Sequence, residues 1–192
     1  MGGMVSLGAM SDTPDKSRSS PVEAFPYARA YHGGTEVVVT PEIRPRLRAP
    51  DFGPGFYTTA SAEQASRWAA RMRRTRGAER AIVSVYDISG LSDSGLDILS
   101  FSGVTEEWFD CVLSCRNGTD VFASRDVVIG PVANDNVYQT IRFFETGVYT
   151  KEEAMRRLLA ERLFNQIVFK TGTALRFCLY LSCQIVREQE EQ

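Results

Sequence analysis

Three short stretches combine residue types able to bind and orient a ligand with backbone that a ligand can approach. Phe164-Asn165-Gln166-Ile167-Val168-Phe169 leads two side-chain amides into an apolar β-type run. The amides would then ride on a rigid strand, the best support for a site that needs close placement. Tyr31-His32-Gly33-Gly34 sets the one histidine of the chain beside two glycines, and Asp51-Phe52-Gly53-Pro54-Gly55-Phe56-Tyr57-Thr58-Thr59 sets an aromatic pair beside two more. Glycine lets a ligand come close to bare backbone. An amide both donates and accepts hydrogen bonds, but it carries no charge and is no base at neutral pH. These stretches read as places where a ligand could be bound and oriented, and the elements around them must hold them in place.

The composition sets wide bounds on function. The 192 residues, 43% of them hydrophobic, suffice for one domain with an ordinary core. A net charge of −2 argues against nucleic acid as the main partner. The four cysteines, Cys111, Cys115, Cys178 and Cys183, fall in a helix-like and a strand-like run, and one histidine excludes mixed Cys/His zinc patterns. They read as small buried hydrophobes in a reducing compartment. No stretch is long and apolar enough to span a bilayer, and the first residues lack the pattern of a secretory signal. The expected location is cytoplasmic, or inside a host cell reached without the general secretory route.

Along the chain, residues 1–24 are polar, small and non-periodic and read as a disordered leader; 25–188 read as one folded domain, and 189–192 as a charged tail. Strands are expected from Tyr27 to His32 and over Glu36–Val39. A proline-punctuated loop follows, with Arg44, Arg46 and Arg48 as solvated cations, one of them a candidate for a ligand phosphate. Ser61 and Gln64 have the spacing of a capping box, and Ala65, Trp68, Ala69 and Met72 recur at helical spacing behind it. That helix ends in Arg71, Arg73, Arg74, Arg76 and Arg80, a solvated face or a surface for an acidic protein partner.

Further strands are expected over 82–86, 96–101, 125–132 and 179–186, and helices over 105–115, from Asn134-Asp135 to Phe144, and from the Thr150–Glu153 capping box through Leu163. A short helical turn is expected around Thr173–Phe177.

In this order and spacing, the three stretches resemble the His-Tyr-Glu branch of the ADP-ribosyltransferase superfamily, which includes the diphtheria-toxin-like and poly-ADP-ribose polymerase enzymes. His32-Gly33 is similar to the first motif, Gly55-Phe56-Tyr57-Thr58-Thr59 to the second, and Phe164-Asn165-Gln166-Ile167-Val168-Phe169 to the third. The span from Tyr31 to about Ile185 is similar to a bacterial subfamily of this fold with Tyr-His-Gly, Asp-Phe-Gly-x-Gly-Phe-Tyr and Asn-Gln in these places. Some relatives of that subfamily are effectors that modify a threonine of host ubiquitin.

The resemblance implies an α+β fold of two facing, mostly antiparallel sheets with flanking helices and NAD held in the cleft between them. It implies that His32 bonds a ribose hydroxyl, that the backbone of Gly33 holds the nicotinamide carboxamide, and that Tyr57 stacks on the ring. Gly34, Gly55 and Phe56 would complete the pocket, with Asn165 as an accessory group. Trp68 would be a second stacking aromatic or a core residue. Gln166 stands where the family has a catalytic glutamate. Asp51 and Asp135 are candidates for a substitute carboxylate, or simply a turn-forming residue and a helix cap.

The implied function is transfer of ADP-ribose from NAD, with no metal, to a protein side chain such as a hydroxyl of ubiquitin, as a bacterial effector or toxin. The alternatives are NAD hydrolysis, or silent binding of NAD or of an ADP-ribosylated partner.

Overall fold

The computed structural model describes residues 26–43, 50–131, 135–160 and 163–187. The leader, the charged tail and the Arg44–Arg48 loop lie outside the described residues. The fold is α+β. Among the described residues seven strands form a single sheet: β1 (Arg29–Gly34), β2 (Phe56–Thr59), β3 (Ile82–Asp87), β4 (Ile98–Ser100), β5 (Val127–Pro131), β6 (Asn165–Phe169) and β7 (Leu179–Ile185). Their spatial order is β4-β5-β6-β2-β1-β3-β7, and every neighbouring pair is antiparallel except β4 and β5.

Two facing sheets were expected, and one continuous sheet is found. The physical reason is a narrow join: β1 pairs with β3 along its whole length but with β2 at Tyr31–Thr59 alone. A three-strand half and a four-strand half thus meet at one position.

Among the described residues five α-helices complete the fold: α1 (Ala62–Arg76), α2 (Glu106–Arg116), α3 (Asp135–Glu145), α4 (Lys151–Leu159) and the single turn α5 (Gly172–Leu175). Side chains alternate across a strand, so each strand feeds two cores. On one face, Val83 and Val85 pack with Ala65 and Ala69 of α1. On that same face Val128 and Val168 pack with Trp108, Phe109 and Val112 of α2, Val137 and Ile141 of α3, Ala154 and Leu158 of α4, and Phe52. The opposite face buries Ala30, Phe56, Tyr86, Ile129, Ile167 and Phe169 under Ile88, Leu91, Ala174 and Cys178.

The caps follow the sequence, with one change. Ser61 accepts from the backbone N–H of Gln64, as a capping box requires. The amide of Gln64, however, accepts from the Thr59 hydroxyl at 2.5 Å, and that hydroxyl in turn accepts from the Ser61 N–H. Thr59 thus ties the start of α1 to β2. Glycines at positive φ, Gly77 and Gly147, follow α1 and α3 as left-handed stops.

Glu36–Val39 is no strand. Both edges of β3 are already taken by β1 and β7, so this segment crosses a face of the sheet instead. There the Val38 N–H donates to Ser84 Oγ and the Val38 carbonyl accepts from the Tyr86 hydroxyl at 2.6 Å.

Gly33 sets how closely α1 can seat. A Cβ there would lie 2.2 Å from the carbonyl oxygen of Ala65 and 3.1 Å from the Ala69 nitrogen, both helix backbone that cannot rotate away. Gly33→Ala is therefore expected to destabilise the fold by about 3 kcal/mol, the upper end of overpacking costs. Urea unfolding checks this, and a variant as stable as wild type would show that α1 does not rest on this glycine.

Candidate functional site

The three motif stretches lie on β1, β2 and β6, which are neighbours in the centre of the sheet although His32 and Gln166 are far apart in sequence. Register aligns Gln166 with Thr59, and Thr59 with Tyr31. These three residues therefore face the same side of the sheet as α1.

His32 is built differently. Beyond the Tyr31–Thr59 pair the ladder between β1 and β2 stops, and the imidazole Nδ1 lies 2.8 Å from the carbonyl oxygen of Tyr57. A carbonyl only accepts, so Nδ1 carries the hydrogen, and in the neutral ring Nε2 is left with its lone pair. The imidazole thereby does the work of a missing ladder donor. Its ring stacks on Phe56, with centroids 4.8 Å apart. Phe56 belongs to the core opposite α1, so His32 and Gln166 attach to opposite faces, with the Tyr57 main chain between them. A Cβ on Gly34 would lie 3.6 Å from Nε2, an ordinary contact, so this glycine is not demanded by packing against the imidazole.

Tyr57 is half site and half core. Its ring packs against the α2–α4 core, while its hydroxyl donates to the Gly53 carbonyl at 2.7 Å and accepts from the Phe52 N–H at 3.1 Å. Two ion pairs hold the loop it grips. Arg116 on α2 bonds Asp51 through Nε and a terminal nitrogen at 2.9 and 2.8 Å, with both side chains largely buried. Lys170, 2% exposed at the end of β6, donates to the Phe52 carbonyl at 2.6 Å and to Asp120 at 2.9 and 3.0 Å. Gly53 adopts a positive φ, and a Cβ there would collide with the Asp120 carboxylate. Gly55 is equally constrained, since a Cβ would meet Val168 at 2.5 Å and the Phe169 carbonyl at 2.9 Å. Its bareness serves the packing of β2 on β6.

Gln166 is 4% exposed, and its Nε2 donates to the Pro131 carbonyl at 3.4 Å. The Asn165 side chain donates to the Tyr27 hydroxyl at 3.0 Å, and its main-chain carbonyl lies 2.9 Å from Thr59 Oγ1, sharing with Gln64 the one hydrogen of that hydroxyl. Asp51 is committed to Arg116 and is thus a structural carboxylate. Asp135 opens α3, and its side chain lies outside the described residues. Trp68 stands 48% exposed one helical turn past Gln64, with the Arg71 guanidinium 5.8 Å from its ring. Together the site offers an imidazole acceptor, an aromatic face, amides and bare glycine backbone: the means to orient a polar ligand, without a free carboxylate among these residues.

Among the described residues no group of three or more His, Cys, Asp or Glu could hold a metal ion, and no helix is long and apolar enough to cross a membrane. Cys115 and Cys178 are buried as expected, and burial pushes the Cys178 thiol up to about 12. Cys183 is exposed on β7, the sheet edge, against the expectation of a buried thiol.

Sequence reasoning missed Tyr27, Arg116, Asp120 and Lys170 as supports. None has a local motif, because each acts on a residue distant in sequence. The one signal available was Lys170 itself, a charge closing a run of buried apolar residues.

The double role of Tyr57 yields a separable outcome. Tyr57→Phe removes only the hydroxyl and should cost about 1 kcal/mol of stability, while a ring that binds ligand keeps its affinity. Tyr57→Ala should lower both stability and affinity for NAD. Calorimetric titration beside urea unfolding checks the pair, and a Tyr57→Phe variant that loses NAD affinity as fully as Tyr57→Ala would assign the effect to the hydroxyl instead of the ring.

Comparison with known proteins adds one finding. No curated protein and no solved structure matches the chain. A family model described as "Protein of unknown function (DUF3990)" matches residues 29–180, from the first residue of β1 into β7, and the chain belongs to that family.

Proposed function

We propose that the protein is an ADP-ribosyltransferase that takes ADP-ribose from NAD and places it on a protein side chain. The observation that carries this reading is the adjacency of β1, β2 and β6 at the centre of the sheet, with the ladder between β1 and β2 interrupted beside His32. The resemblance of the three motif stretches supplies the ligand. The same interruption is what supports a split-sheet relationship: a fold that opens between β1 and β2 needs few ladder bonds there, and this one has a single paired position.

In the proposed reaction the bond from the ribose anomeric carbon to the nicotinamide nitrogen breaks, and nicotinamide leaves with the electron pair. An acceptor hydroxyl oxygen bonds that carbon, and its proton passes to solvent water. The step passes through a cationic, oxocarbenium-like state, so catalysis rests on orientation and on negative potential near the carbon. In this reading the ligand sits at the opening between β1 and β2, where groups from both faces can meet it: His32 Nε2 on one face accepts from a ribose hydroxyl, Tyr57 and Gln166 on the other offer a ring face and an amide oxygen, and the Gly33-Gly34 backbone meets the carboxamide. The acceptor that the resemblance suggests is a hydroxyl of ubiquitin, which would make the chain an effector or toxin.

One observation favours a second reading. Gln166 is neutral and nearly buried, and Asp51 is tied to Arg116, so negative potential for the cationic state is not supplied by these groups. A silent module that holds NAD or an ADP-ribosylated partner would need none.

Incubation with labelled NAD and a host-cell lysate separates the readings. Transfer predicts a labelled protein band, hydrolysis predicts free ADP-ribose alone, and silent binding predicts neither. For a transferase, Gln166→Ala should slow nicotinamide release by orders of magnitude, since orientation alone accounts for about 7–11 kcal/mol of such barriers. Gln166→Glu should match or exceed wild type, because a carboxylate adds negative potential beside the developing cation. Nicotinamide release by Gln166→Ala at the wild-type rate would place the chemistry elsewhere.

A further inference from the structure

Six of the 22 lysines and arginines lie between 67 and 80, in a chain whose net charge is −2. Helix-dipole complementarity accounts for Arg73, Arg74 and Arg76 in the last turn of α1; in its middle, Arg67 meets Glu63 at 3.6 Å in an exposed pair of the kind that contributes little, and Arg71 lies over Trp68. Arg67, Arg71 and Arg74 recur at i, i+4 and i+7 and are all exposed, so they form one outward row. Trp68 stands beside that row, 48% exposed, under the Arg71 guanidinium. A helix whose seating on the sheet needs only Ala65 and Ala69 gains nothing in its own core from a tryptophan on its surface.

The row also has a definite origin. The Arg67 guanidinium lies 5.2 Å from the centre of the Phe164 ring, and Phe164 directly precedes Asn165 and Gln166 on β6. One turn earlier on the Trp68 side of the helix, Gln64 is bonded to Thr59, the register partner of Gln166. The outer face of α1 is therefore a strip of arginines with two aromatic rings that starts at the third motif and runs away from it.

We infer that this strip docks an acidic segment of the protein acceptor, with Trp68 as the anchor and Arg67, Arg71 and Arg74 as carboxylate partners. Tryptophan and arginine are among the residue types enriched where protein–protein contacts bind most strongly, and arginine meets carboxylates through paired N–H donors. The inference rests on the reading of the protein as a transferase with a protein acceptor. It assigns Trp68 to the acceptor and leaves the NAD ring to Tyr57.

The test uses the full chain without NAD and a synthetic peptide, Glu-Glu-Leu-Glu-Glu-Phe-Glu-Glu. Only two tryptophans are present, and Trp108 is fully buried, so a change in emission reports Trp68. Peptide binding should shift that emission, and the double variant Arg67→Glu, Arg71→Glu should bind at least tenfold more weakly with its melting temperature kept. An oligothymidylate and vesicles with anionic lipid should leave the emission unchanged. Equal peptide affinity in the variant, or a response to the oligonucleotide or vesicles in place of the peptide, overturns the inference. Nicotinamide release without acceptor, measured on the same double variant, should equal that of wild type. Absence of NAD turnover in both proteins would sink the transferase reading alone, because the peptide experiment contains no NAD.

Discussion

The hydrogen bond from the His32 imidazole to the Tyr57 carbonyl is the contact on which the centre of the molecule depends. β1 cannot follow β2, because Gly33 draws its backbone onto α1 while all six of its residues pair with β3. The ladder to β2 is thereby reduced to one position, and a carbonyl of β2 is left facing a gap. An unsatisfied buried carbonyl costs about 1–3 kcal/mol. A side-chain donor removes that cost without closing the strands, and histidine supplies that donor through Nδ1. One bond thus fixes the ring's tautomer and holds the sheet open at the same place.

Around that contact, the groups that could have been chemical are largely structural. Asp51, the carboxylate closest in sequence to the second motif, neutralises Arg116, and Lys170 holds both Asp120 and the Phe52 carbonyl. Removing one partner of such a buried pair is strongly destabilising, so these residues are tied to the loop that grips the Tyr57 hydroxyl. The rigidity serves the aromatic ring, since a residue meant to stack on a ligand needs its plane fixed before the ligand arrives. A site assembled in this way orients its ligand well and offers it little charge. In the proposed reaction the orienting role therefore falls to Gln166 and not to an aspartate of the loop.

Much of the fold was legible because periodicity and caps are local. α1, α2, α4 and strands β3, β5, β6 and β7 fall where Ser61, Thr105, Thr150 and the β-type runs put them. Adjacency of the three motifs was legible only through resemblance, since no local property of Gln166 announces that its register partner is Thr59. Three features were hidden for physical reasons. Val37–Val39 has the composition of a strand, but β3 had no free edge to offer it. Trp68 sits at an apolar spacing, yet the alanines beside it already fill the contact with the sheet. The ion pairs under the loop join residues far apart in sequence, and burial of a lysine such as Lys170 depends on partners that only the fold brings near.

The chain contains one histidine, so its imidazole resonances in a nitrogen-15 NMR spectrum belong to His32 alone. The central claim is that this ring donates from Nδ1 to the sheet and presents Nε2 to NAD. For the neutral ring the account predicts a protonated-type signal for Nδ1 and a lone-pair-type signal for Nε2, with NAD shifting Nε2 and leaving Nδ1 almost unmoved. A ring protonated on Nε2 alone, or a spectrum that NAD does not change, would contradict it.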